Sequence, residues 1–219
     1  MKMFFVLLAA LLPFSAHALD RFVVISDSHG VGQFGMSLVQ WLTDRDDTAY
    51  EFYASGGTAP INWLNGKWKS DRVWMANSVT PPNGPQHYTT TVNPSFETLW
   101  NQQGPRAEGE RRISVIVQGT NLHYVNAARY KKTEITQMKK LIQVAYAHSE
   151  LCYWIGPPEM KKAGYTAPAE ALWVSMIQTA IAEAATESKR APCEFRDSRP
   201  PVTHFPAISA THQDQVHYH

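Results

Sequence analysis

Phe22-Val23-Val24-Ile25-Ser26-Asp27-Ser28-His29-Gly30 sets the reading of the whole chain. Four consecutive apolar residues, three of them β-branched, suit a strand buried on both faces, and such strands sit in the middle of parallel sheets. The run stops in small and polar residues, after which Phe34, Leu38 and Trp41 or Leu42 recur at helical spacing. Working outward, the same alternation returns. Tyr50 to Ala54 reads as a second strand entering Ser55-Gly56-Gly57-Thr58, and Ile113 to Val117 as a third, ending in Gln118-Gly119-Thr120-Asn121. Leu151 to Ile155 reads as a fourth strand and Cys193 to Arg196 as a short fifth. A long helix to about Ser149 turns Ile135, Met138, Leu141, Ile142 and Ala145 inward; another, opened by Pro168, carries Trp173, Ile177, Ile181 and Ala184 on one stripe. Strands alternating with helices predict an α/β fold in which a five-stranded parallel sheet is covered by helices on both faces.

Between about 61 and 112 the rhythm breaks. Trp63, Trp68, Trp74 and Trp100 fall here, around a centre rich in Pro, Asn and Thr from Pro81 to Pro94, so the stretch reads as an irregular insertion. Its tryptophans fit two roles equally, stacking on sugar rings or filling a core. Composition supports one sizeable core: 44% of the 219 residues are hydrophobic and 18% charged, which leads us to expect a single domain over 19–219. Lys and Arg number 20 against 19 Asp and Glu, a net charge of +1. That balance supplies no general field for nucleic acid or an anionic membrane, and neither is expected as a partner.

The amino terminus looks like an address. Lys2 is followed by an unbroken apolar run from Phe4 to Leu12 and by Ala16-His17-Ala18, the small-x-small pattern of a signal-peptidase site. Residues 1–18 are therefore read as a signal peptide, and the protein as secreted or periplasmic; the other reading is a buried terminal helix or strand. The run is too short to cross a bilayer, and no later segment reads as a transmembrane span. The two cysteines, Cys152 and Cys193, each start a predicted strand. In an oxidising compartment they read as one disulfide, in a reducing one as two buried thiols.

In an open parallel sheet, ligands bind outside the carboxyl ends of the strands. Ser28, Gly56 and Asn121 follow the first three strands. They offer a hydroxyl nucleophile, an unobstructed backbone N–H and an amide donor, the groups acyl transfer requires. The tail adds a carboxylate and an imidazole, Asp214 and His217. Taken singly, the serine is also a plain helix cap, Gly56-Gly57 a turn and Asn121 a cap.

Taken together, the order resembles the SGNH hydrolases: Ser26-Asp27-Ser28-His29-Gly30 is similar to their GDSL block, Ser55-Gly56-Gly57-Thr58 to their glycine block, Gly119-Thr120-Asn121 to their G-x-N block and Asp214-Gln215-Val216-His217 to their D-x-x-H block. Ser26 stands where the motif name has Gly, and His29 where it has Leu. The resemblance implies a flavodoxin-like, three-layer α/β/α fold and an SGNH-type serine esterase working without a cofactor. Ser28 would be the nucleophile, His217 the base and Asp214 its orienting carboxylate, with Ser28, Gly56 and Asn121 forming the oxyanion hole. The implied substrates are acetylated carbohydrates or other small esters. Three alternatives stay open: a lipase or thioesterase of the same family, a catalytically silent carbohydrate-binding domain on this fold, and a tail metal site built from His212, Asp214, His217 and His219.

Overall fold

A computed structural model describes residues 19–79, 89–122, 127–158 and 166–199. The signal-peptide reading of 1–18 and the tail residues His212, Asp214, His217 and His219 lie outside the described residues. The central strand β1, Asp20–Ser26, keeps Val23, Val24 and Ile25 fully buried. It pairs in parallel with β2 (Thr48–Ser55) on one side and β5 (Arg111–Val117) on the other. Beyond β5 follow β6 (Leu151–Ile155) and the short β7 (Glu194–Arg196), both parallel. All five expected strands form, in the order β2-β1-β5-β6-β7.

The expected strand count needs correction. The sheet has seven strands among the described residues, because β3 (Lys69–Asn77) and β4 (Thr89–Val92) add antiparallel ribbons outside β2. The register between β3 and β4 shifts between Ser70 and Val73. Such an irregularity flips the inward–outward phase of a strand, so the buried positions fall at Ser70, Val73, Trp74 and Ala76 rather than at every second residue. With Lys69, Asp71 and Arg72 facing water, the stretch shows no period of two and passes for a loop. The supposed irregular insertion also holds two short helices, α2 (Pro60–Asn65) and α3 (Phe96–Gln102). Trp63, Trp74 and Trp100 are buried in core contacts: Trp63 meets Tyr53 edge-on at 5.8 Å, Trp74 meets Phe52 at 5.0 Å, and the Trp100 Nε1 donates to Ser114 Oγ at 3.1 Å. Trp68 alone of the four is exposed.

Alternate residues of β1 feed two cores. Phe22 and Val24 join Phe52 and Val115 under Val39 and Leu42 of α1 (Gln33–Thr43). Val23 and Ile25 join Ile116 under α4 (Ala127–His148) and α5 (Ala167–Ser188), through Met138, Ile142, Trp173 and Ile177. Helices therefore cover both faces of a mostly parallel sheet. No helix among the described residues is long and apolar enough to cross a membrane.

Cys152 and Cys193 form a disulfide across 41 residues, with Cα atoms 4.6 Å apart. It ties the amino-terminal end of β6 to the residue just before β7, where the Cys193 N–H also donates to the Tyr146 hydroxyl at 2.9 Å. Closing a loop of this length restricts the unfolded chain by about 3–4 kcal/mol in chain-entropy terms. Denaturant titration of a Cys152→Ser/Cys193→Ser protein should show a loss of that order. Turnover at saturating substrate should hold, because the bridge stands at the end of the sheet away from the site described below.

Candidate functional site

The chain leaves β1 through α1 to reach β2 on one side, then crosses to β5 on the other. Strand order therefore reverses between β1 and β5, which opens a crevice at their carboxyl ends. Ser26 pairs with Val117 there, and the Asp27 N–H donates to the Val117 carbonyl at 3.1 Å. The chain then tightens into a 3-10 turn, Ser28–Val31, capped by Asp27. Gly30 makes this fold-back feasible, since a Cβ on it would stand 2.3 Å from Ser26 Oγ. Ser28 opens the turn, where the first N–H groups have no acceptor within the turn itself. Its N–H and hydroxyl make no hydrogen bond among the described residues, and the residue is half-buried.

Asp27 locks this geometry. The residue is 1% exposed, and its carboxylate accepts from the His29 N–H at 3.0 Å, from His29 Nδ1 at 3.1 Å and from Thr120 Oγ1 at 2.7 Å. Burial pushes the Asp27 pKa up, but the charge on His29 and the hydrogen bonds from His29 and Thr120 outweigh it, holding the carboxyl below the ordinary aspartate value. Thr120 belongs to the loop after β5, so the carboxylate fastens the Ser28 turn to the segment carrying Asn121. Asn121 in turn donates from Nδ2 to the Thr58 carbonyl at 3.0 Å, reaching the loop after β2. The donors around Gln118 orient its amide: the oxygen accepts from Asp27 N at 3.0 Å and Trp63 Nε1 at 2.9 Å, and the nitrogen donates to Thr58 O at 3.2 Å. Three loops are thus joined by side-chain bonds in one crevice.

Ser28, Asn121 and the Gly56 loop meet at the carboxyl end of the sheet as the sequence suggested, with one difference. The Gly56 N–H, expected to be available, donates to the Arg72 carbonyl at 2.8 Å. Antiparallel β3 causes this: Ser55 pairs with Val73, and the ladder takes one further rung past the end of β2. Asn121 spends one of its two amide hydrogens on Thr58 and keeps the other. Asp214 and His217 lie outside the described residues, so their relation to Ser28 is not part of this geometry. No cluster of three or more His, Cys, Asp or Glu among the described residues could hold a metal ion. A groove of about 470 Å³ between α2 and α4, lined by Ile61, Leu64, Lys132, Thr136 and Gln137, contains none of the three site residues. Asp27, Thr120, Gln118 and Thr58 were not singled out from the sequence. The available signal was a carboxylate and a hydroxyl at the ends of two buried strands, where burial obliges each to find a partner.

No family model matches the chain, and no curated protein matches it. Among solved structures it is similar to an extracellular lipase from Streptomyces rimosus, with 15% identity over 92% of both chains and a TM-score of 0.48. It is also similar to a member of the lipolytic protein G-D-S-L family from Veillonella parvula, with 13% identity over 90% of this chain and 88% of that one and a TM-score of 0.47. A DUF4886 family protein from Bacteroides uniformis matches at 9% identity over 79% of this chain and 65% of that one, with a TM-score of 0.42.

The Asp27 linkage has a direct consequence in acid. A carboxyl more acidic in the folded than in the unfolded chain contributes stability fully above its unfolded value, about 3.9, and loses it as pH falls through the folded value. Thr120→Val removes one charge-assisted bond and should cost about 1.5–3 kcal/mol in urea unfolding at neutral pH. It should also move acid unfolding to higher pH. In Asp27→Asn the stability should fall less steeply below pH 4 than in the parent, and equal slopes would refute the assignment.

Proposed function

We propose that this chain is an exported serine ester hydrolase of the SGNH type, working through an acyl-enzyme, which deacetylates a carbohydrate or cleaves another small ester. The observation that carries this reading is Ser28: a half-buried serine with an unengaged hydroxyl, whose own N–H is also unengaged, at the strand-order reversal of a parallel sheet. A nucleophile so placed has an oxyanion donor one bond network away, and the remaining amide hydrogen of Asn121 supplies a second. In this mechanism the Ser28 oxygen attacks the ester carbonyl carbon while His217, oriented by Asp214, takes the hydroxyl proton. The charge that gathers on the carbonyl oxygen meets the Ser28 N–H and the Asn121 amide. His217 then protonates the departing alcohol, and water repeats the sequence to free the acid. No step requires a cofactor. The Gly56 N–H takes no part, being held by Arg72.

Export rests on the leader-like residues 1–18, with cleavage after Ala18 leaving one domain over 19–219 in a secreted or periplasmic setting. The Cys152–Cys193 disulfide supports an oxidising compartment.

Hydrolysis of p-nitrophenyl acetate and of acetylated sugars by the purified protein tests the reading. Ser28→Ala should leave the circular dichroism spectrum intact and lower turnover roughly 1,000-fold or more. For Asn121→Ala the loss should fall on kcat, on the order of 100-fold to 1,000-fold. Asp214→Ala and His217→Ala should each remove most activity, their combination being little worse than His217→Ala, and exhaustive chelation should change nothing. A zinc-reversible loss on chelation would instead establish the tail metal site. A folded parent that cleaves no ester would leave the silent binding domain.

A further inference from the structure

Trp68 stands apart from the three buried tryptophans of its segment, being 38% exposed just ahead of β3. Its indole Nε1 donates to the Gly56 carbonyl at 2.9 Å. Its ring edge packs on Gly57, where a Cβ would stand 3.1 Å from Trp68 Cζ2 and where φ is +78°, a conformation that disfavours any side chain. The indole is therefore fixed from two directions before a ligand arrives, which spares the entropy of ordering it.

Its place relative to the nucleophile follows from register. Ser26 pairs with Ala54 at the ends of the parallel strands β1 and β2, and the turns that follow them carry Ser28 on one and Gly56, to which Trp68 is bonded, on the other. Adjacent strands stand about 4.8 Å apart, so the two turns are neighbours at the carboxyl end of the sheet. That neighbourhood suits the ring bearing an ester, or the next ring along, when the scissile carbonyl lies at Ser28. Arg72 shares this rim. Its Cβ would touch a Cβ on Gly56 at 3.1 Å, and its guanidinium is exposed and makes no ion pair among the described residues.

We propose that Trp68 and Arg72 form a subsite for a sugar ring, the indole stacking against the ring's C–H face and the guanidinium donating to oxygens of its substituents. Aromatic side chains suit this because they combine a broad apolar face with fixed geometry, and a guanidinium adds several donors in one plane. The pairing deepens the proposed esterase reading, on which its catalytic consequence rests, while the binding itself does not depend on hydrolysis.

The test compares two acetate esters, a methyl tetra-O-acetyl-glucopyranoside and ring-free ethyl acetate, through the ratio of their kcat/KM values. Trp68→Ala should lower that ratio roughly tenfold, mainly through KM on the pyranoside. Arg72→Ala should lower it in the same direction, and Trp68→Phe should retain most of it. A ratio unchanged in a folded Trp68→Ala, or unchanged in Arg72→Ala should Trp68→Ala fail to fold, would overturn the subsite while leaving the hydrolase standing. Independently, gluco-oligosaccharide titrated into Ser28→Ala protein should change tryptophan fluorescence, and the change should vanish when Trp68→Phe is added. If neither ester is cleaved yet this Trp68-dependent signal appears, the hydrolase reading fails and the subsite holds. Absence of the signal counts against the subsite.

Discussion

A carboxylate that is almost wholly buried has to be met by donors, and at Asp27 that requirement organises the carboxyl end of the sheet. Removing an ionised group from water costs several kcal/mol unless hydrogen bonds replace the lost hydration. Here the replacements come from two different loops: the backbone and ring of His29 on one side and the hydroxyl of Thr120 on the other. Satisfying the charge therefore fixes the distance between the turn that begins with Ser28 and the segment that ends in Asn121. The Asn121 and Gln118 amides extend the same constraint to Thr58. Groups meant to hold a developing charge are most effective when they do not reorganise during reaction, and a crevice whose loops are bonded to one another has that property.

The opposite end of the sheet is secured differently. Arg111 grips Asp20 through two nitrogens at 2.8 and 2.6 Å, and Glu110 is held by Arg112 at 2.7 Å and Arg21 at 3.1 Å. With the disulfide, these contacts concentrate cross-linking where the strands begin. The molecule thus separates the residues that secure it from those proposed to react, about one strand length apart.

What the sequence disclosed follows from how strongly each element depends on its own residues. The five parallel strands were legible because strands such as Phe22–Ile25 and Ile113–Val117 are buried on both sides and must be apolar throughout. The positions of Ser28 and Asn121 just past the carboxyl ends of β1 and β5 were legible because the apolar strands before them end sharply, whereas each residue taken singly also reads as a cap. The ribbon of β3 was not, since the irregularity at Ser70 to Val73 breaks the alternation that marks a half-buried strand. The engagement of Gly56 was hidden with it, because its acceptor, the Arg72 carbonyl, belongs to that unseen strand. The tryptophans posed a third kind of problem. Nothing local distinguishes buried Trp63 from exposed Trp68, whose difference arises only once α2 and β3 are in place.

The two added strands also change what the sheet presents to other molecules. Without them, its border on this side would be β2, eight residues long, whose apolar interior residues and unpaired backbone groups would suit annealing to a second chain. With them, the borders among the described residues are β4 and β7, of four and three residues. β4 shows Thr89, Thr90 and Thr91 rather than a continuous apolar edge. Among the described residues the ribbon therefore moves the open border from a long apolar strand to a threonine-rich one, which offers an incoming strand a less adhesive edge.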